Sequence, residues 1–417
     1  MKTIKTLLIL MAVAQLTACA DAPLPAEDAL MKTRGTPLPH SNWQAVQAQD
    51  VAILLPRVVG EGIPANLLTS EGDWLLKKTW LNAVNTAFED TEVEDALALE
   101  NMYEEWEVVA VRIAPCSPLG TTPGPIAQRF CWPEVRLVWQ PNQYDFHIGW
   151  TTVEAFSDDR AIHALHRVYQ KGTEDKVSAL IERMQAAQQP SERDLAQLEA
   201  MRQGAISQLL GDVVSLRSRS VSGMNLYTLD LRAESMSGDS EAKAFYGRLA
   251  GFLADYALGS TLHTMTAFSL PEGRNPAGSD RWIFVAFDGV FGEIKQRPIT
   301  VTDPKSGETI YDYGMDETVS SAAGDDRLLE ALRDGQVDRS AIERQIFTEV
   351  SDRTRLAERI NDPDQTLVAN TSCASCHSFN DLTFDFHNLS YLQEMDMTIS
   401  KRVRNDVRAD LDWLGQN

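Results

Sequence analysis

Residues 373–377 read Cys-Ala-Ser-Cys-His, and no other stretch restricts its own surroundings as tightly. On one helical turn, positions i, i+3 and i+4 share a face. Two thiols and an imidazole are therefore presented together to a single object. That object must accept two sulfurs and one nitrogen from the same side.

The C-x-x-C-H spacing is the signature of covalent haem attachment, and over these five residues the chain resembles the c-type cytochromes. The resemblance implies one covalent haem c. Cys373 and Cys376 would form thioethers to its two vinyl groups, and His377 would be the proximal iron ligand. It extends over the motif alone, so it implies a cofactor rather than a fold. The distal position has three candidates downstream, His387, Met395 and Met397. Methionine would raise the potential and a second histidine would lower it. In the common single-haem cytochromes the methionine lies farther from the motif, so the chain departs from that pattern and the distal ligand stays open. Phe384 and Phe386, just before His387, would supply an apolar wall. Lys401, Arg402, Arg404 and Arg408 stand out in an acidic chain. They either face haem propionates or a donor's acidic surface, or form a solvated helix face balanced by Asp406 and Asp410.

The N-terminus reads as an export signal. Lys2 and Lys5 precede an apolar run over residues 7–14 that is too short for a resident membrane helix. Leu16-Thr17-Ala18-Cys19 then resembles a bacterial lipobox, which implies lipidation of Cys19 and removal of residues 1–18. The rival is an ordinary signal cut near Ala18 or Ala20. Ala20 after the cysteine, by resemblance to lipoprotein sorting, implies the periplasmic face of the outer membrane. Haem of this kind is attached outside the bacterial cytoplasm, so address and motif agree.

The net charge is −22, and loss of Lys2 and Lys5 makes it −24. Such a chain repels nucleic acid and anionic headgroups, leaving the lipid as its membrane contact. A redox protein partner of basic charge is compatible with it, though acidity also serves solubility. With Cys19 given to lipid and two cysteines to haem, Cys116 and Cys131 remain. In an oxidising compartment they are expected to form a disulfide, which loop closure would make worth ~3 kcal/mol. The alternative is two free thiols.

Taken in order, residues 19–42 carry Pro23, Pro25, Pro37 and Pro39 among small and acidic residues, the composition of a flexible tether. Residues 43–360 form an α+β body with antiparallel strands and a helical hairpin. Strands are expected at 106–113 and 135–139, so the two cysteines staple the base of the loop between them. Helical spacing covers 74–88. Residues 159–212 are expected to be helical, with Thr173 capping one helix and Ser191 with Asp194 opening the next. Further strands are expected at 226–231 and 282–287, a helix at 239–258, and a hairpin over 299–311. Residues 324–360 read as helix. Residues 361–417 form a short, mostly helical haem-binding segment ending in a helix at 400–414.

No dinucleotide fingerprint, phosphate loop, H-E-x-x-H or nucleophile elbow is present. His163 and His166 are three apart on the expected helix, without a third metal ligand. Three functions follow: a membrane-anchored one-electron carrier, a haem enzyme or gas/redox sensor with an open distal face, or a binding lipoprotein whose Cys373 and Cys376 form a disulfide or partial metal site.

Overall fold

The computed structural model describes residues 46–56, 62–89, 103–104, 106–118, 131–141, 144–148, 153–157, 161–186, 191–218, 226–269, 283–297, 299–302, 309–312, 315–316, 399 and 401–415. The expected signal, tether, 324–360 helix and residues 361–398 lie outside them.

Period-two alternation organises the described residues. The strands are β1 (Ala52–Leu54), β2 (Ile63–Pro64), β3 (Trp106–Pro118), β4 (Cys131–Pro141), β5 (Tyr144–Ile148), β6 (Val153–Ser157), β7 (Ala161–Arg167), β8 (Leu262–Ser269), β9 (Ile283–Val290), β10 (Glu293–Arg297), β11 (Ile299–Thr302), β12 (Thr309–Asp312) and β13 (Met315–Asp316). The main sheet runs β1-β3-β4-β7-β8-β9-β10, with β2 added to β3 and β13 to β9. Its ladders are antiparallel throughout. β5 pairs with β6, and β11 with β12. The helices are α1 (Ala48–Val51), α2 (Lys78–Glu89), α3 (Glu174–Ala186), α4 (Glu192–Ser215), α5 (Asp239–Tyr256) and α6 (Lys401–Trp413). The class is therefore mixed α+β with an antiparallel sheet.

Register gives the sheet two unlike faces. Ile53, Val111, Leu137, Ala164, Met265 and Phe287 stand opposite one another across six strands, and each is at most 1% exposed. The next row, on the other face, reads Ala52, Arg112, Arg136, Leu165, Thr264, Asp288 and Lys295. Successive side chains of a strand point to opposite faces, so one face is apolar and the other polar. Residues of α2, α4 and α5 join the apolar row in one core.

Residues 161–167 are a strand rather than the start of the expected helix. Ala-Ile-His-Ala-Leu-His-Arg alternates buried and half-buried positions, and burial between β4 and β8 overrides helical propensity. The helical hairpin itself is present. Ser191 Oγ accepts from the Asp194 amide at 3.1 Å and caps α4. Val177, Leu180, Ile181 and Leu198 close around Trp132. The Thr173 hydroxyl donates to the Gln170 carbonyl at 2.6 Å. Residues 226–231 form no strand; only Leu231 makes a parallel bridge, to Leu54. α2 starts four residues later than the apolar spacing from Trp74 indicated. Among the described residues no helix is long and apolar enough to cross a membrane.

The N-terminal edge is locked by charge. Arg232, fully buried, donates from Nη1 to Asp50 Oδ1 at 3.1 Å and to the Gln49 carbonyl at 2.7 Å, and from Nε to Glu234 Oε2 at 2.7 Å. Its guanidinium lies 5.5 Å from the centre of the Phe245 ring in α5. Arg217 at the end of α4 also pairs with Asp50. Removing one member of such a set strands the others in the core. Arg232→Met is expected to lower stability by about 3–5 kcal/mol in urea unfolding, with no change in the Cys116–Cys131 pairing.

Candidate functional site

Cys19, Cys373, Cys376, His377, His387, Met395 and Met397 lie outside the described residues. The described residues do fix the elements that precede and follow residues 373–377 in sequence, and the polar sheet face that α6 covers.

Cys116 and Cys131 are joined by a disulfide with their Cα atoms 4.9 Å apart. They tie β3 to β4 at the mouth of the loop over 119–130, next to a register shift between Ala114 and Ser117. The buried Arg202 of α4 donates to Cys131 Sγ at 2.8 Å. The same guanidinium lies 5.9 Å from the Trp413 ring of α6 and pairs with Glu199.

α6 follows the motif in sequence and packs against β3 and α1. Val407, Trp413 and Leu414 enter the main core. Asp410, 2% exposed, receives Arg112 Nη2 at 2.9 Å, and Arg112 Nη1 reaches the Val403 carbonyl at 3.4 Å. Asp410 therefore does not balance the cations of its own helix on a solvated face, as the alternative reading of that helix held. Arg402 does pair along the helix, with Asp406 at 3.2 Å. The last helix of the expected haem-binding segment is thus an integral part of the body.

His163 and His166 lie on β7 and so point to opposite faces, which removes the helical pairing expected for them. His166 is wholly buried on the apolar side. Its Nδ1 lies 3.0 Å from the Leu258 carbonyl, and its Nε2 has no hydrogen-bond partner among the described residues. Burial pushes its pKa down to about 4, against the opposing pull of the Leu258 carbonyl.

The polar face carries a second histidine, His263 of β8. Simple alternation with Met265 would turn it inward. However, Leu165 pairs with Thr264 while His166 pairs with Leu262, so His263 is the extra residue of a β-bulge. The bulge re-aims it to the polar side, beside Thr264. Gly289 of β9 permits this approach: a Cβ there would lie 2.0 Å from the Leu262 carbonyl oxygen. The turned imidazole reaches across β7 to β4. Its Nε2 lies 2.6 Å from Glu134 Oε1, and its Nδ1 2.9 Å from Thr264 Oγ1. With Nε2 donating to the carboxylate, Nδ1 accepts the threonine hydroxyl.

Glu134 is only 3% exposed. Burial alone would raise its pKa. Hydrogen bonds from His263 and Ser117, with the charge of Arg136 and that of His263 when its ring is protonated, outweigh that and hold it below the usual carboxylate range. Arg136, next to it, is pushed down by burial and by the Arg112 and Arg402 charges, and held up by Glu134 and Asp406. Chemically this is an oriented imidazole that can take or return a proton at a hydroxyl. Among the described residues no group of three or more His, Cys, Asp or Glu is gathered for a metal ion.

Compared with protein-family models, curated proteins and solved structures, the chain gives no match in any of the three.

Two stability effects follow. His166 is neutral in the fold, while in the unfolded chain it binds a proton below about 6.5. Stability is then lost as pH falls from about 6.5 towards 4, by ~3 kcal/mol at the limit. Glu134 adds loss of the same sign at lower pH, because its stabilisation is present above the unfolded carboxylate pKa and disappears as pH drops through its depressed folded value. Urea midpoints measured from pH 7 to 4 should show the decline, and His166→Leu should flatten it between 6.5 and 4. His263→Ala should cost about 2–3 kcal/mol at pH 7, by leaving the buried Glu134 carboxylate with Ser117 but without its imidazole donor.

Proposed function

We propose that this chain is a membrane-anchored c-type haem protein of the bacterial cell envelope that transfers single electrons. The observation that carries the reading is the pentapeptide Cys373-Ala374-Ser375-Cys376-His377 in a chain whose first residues read as a lipoprotein export signal. The Cys116–Cys131 disulfide supports it. Such bonds persist in the oxidising compartments outside the cytoplasm, where haem of this kind is attached. It also removes those two thiols as competitors for Cys373 and Cys376.

In this reading Cys19 carries the lipid and holds the body at the periplasmic face of the outer membrane. Cys373 and Cys376 hold the porphyrin, and His377 the iron. His387, Met395 or Met397 fills the far side and sets the potential. A redox protein supplies or removes the electron. The position of α6 adds weight of its own. Its anchorage on β3 returns the chain to the body soon after the motif, so the haem would belong to the body rather than to a detached module.

The test is a spectrum of protein produced with a cytochrome-maturation system. A Soret band, a low-spin six-coordinate spectrum and a mass increased by one covalent porphyrin are expected. Cys373→Ala with Cys376→Ala should remove the covalent mass. Replacing His387, Met395 and Met397 one at a time should convert the spectrum to five-coordinate for one of them alone. A five-coordinate wild-type iron that binds carbon monoxide would instead support the enzyme or sensor reading. A colourless protein without added mass would leave the binding lipoprotein.

A further inference from the structure

α6 is built against the usual electrostatics of a helix. The positive end of the helix dipole favours Asp and Glu in the first turn and disfavours cations there. The first turn of α6 contains no acidic residue and opens Lys401-Arg402-Val403-Arg404. Arg402 is compensated by Asp406. Lys401, Arg404 and Arg408 are exposed, and none of them makes an ion pair or hydrogen bond among the described residues.

These three occur at i, i+3 and i+7, which places them in one stripe along the helix. Neighbouring like charges at i,i+3 and i,i+4 weaken a helix by a few tenths of a kcal/mol per pair. The opposite face is fixed by Val407, Trp413, Leu414 and the Arg112–Asp410 pair. The stripe is therefore held outward by a docked helix. The chain has 60 acidic residues against 38 basic, so carboxylates are plentiful, yet among the described residues none pairs with these three cations. A local rule broken without compensation inside the fold is the pattern expected where the compensation comes from a partner.

We infer that the outer face of α6, through Lys401, Arg404 and Arg408, is the docking surface for an acidic patch on a redox protein. This rests on the electron-transfer reading for the partner's class, and on the structure for the surface and its sign. It also refines the partner expected from net charge alone. The body as a whole attracts basic partners, while this helix, which follows the C-x-x-C-H stretch in sequence, selects a local acidic patch.

The probes are an acidic flavodoxin and a basic cytochrome c, titrated into the full-length protein at low and at physiological ionic strength. The variants are wild type and Lys401→Glu/Arg404→Glu/Arg408→Glu. Calorimetric binding needs no haem signal. Wild type should bind the acidic probe, more weakly as salt rises. The triple variant should bind it about tenfold more weakly, a loss of about 1.4 kcal/mol spread over three rim charges. Its melting temperature should be unchanged or higher, since acidic groups now occupy the first turn. Binding of the acidic probe that ignores the triple change, or binding of the basic probe alone, overturns the proposal. So does a melting temperature that falls, because the stripe would then be satisfied within the chain. A colourless protein that still binds through α6 would retain the surface and remove the redox role. A haem-loaded protein indifferent to the variant would do the reverse.

Discussion

The buried guanidinium of Arg232 joins parts of the chain that hydrophobic contact alone would leave free to slide. It bonds the turn at Gln49 and Asp50 and the carboxylate of Glu234, and stacks on Phe245 of α5. Its own amide donates to the Leu54 carbonyl at 2.8 Å. β1 is an edge strand of three residues, too short to hold its register by ladder bonds alone. An arginine with five directed donors fixes both position and orientation there. A buried ion network is weak evidence for net stability, because desolvation offsets much of the attraction. What it supplies here is direction: in this arrangement Asp50, Glu234 and the Gln49 carbonyl are all satisfied by one guanidinium.

With that edge fixed, the register of the whole sheet follows and its two faces acquire different roles. The apolar face receives α2, α4 and α5 and forms the core. The polar face has Arg112, Arg136, Glu134, His263 and Thr264 within its central strands, and it closes under α6 where Asp410 meets Arg112. The bulge at His263 is the single departure from alternation in β8, and it moves a titratable side chain from the dry face to the wet one. Gly289 makes room for it from the neighbouring strand. Substituting an alanine at Gly289 would press on the Leu262 carbonyl and the His263 Cα, and would therefore act on Glu134 although it does not touch it.

Much of the fold was legible because its signals are local. The strands around Cys116 and Cys131, the helix from Asp239, the Ser191 cap, the hairpin over β11 and β12, and the last helix all follow from periodicity, caps and turn residues. β7 was hidden because Ala161-Ile162-His163-Ala164-Leu165 has helix-forming alanine and leucine, and only the neighbouring strands decide the matter. β8 went unread although Leu262-His263-Thr264-Met265-Thr266-Ala267-Phe268 nearly alternates; the bulge breaks the pattern at its start. The expected strand at Leu226 failed because, among the described residues, its β-pairing is a single bridge from Leu231 to Leu54. The pairing of Glu134 with His263, 129 residues apart, leaves no trace in either neighbourhood. The C-x-x-C-H expectation falls on residues 373–377, outside the described residues.

The placement of α6 changes the mechanical status of the stretch that contains Cys373, Cys376 and His377. β13 ends on β9, and α6 begins against β3. Those strands are four ladder steps apart, roughly 19 Å across the sheet. Residues 317–400 therefore connect β13, on β9, with α6, on β3. The elements on both sides of that stretch are moored to the one sheet. A single backbone cut within residues 317–400 would not release the motif, because each fragment would stay fastened to the same sheet.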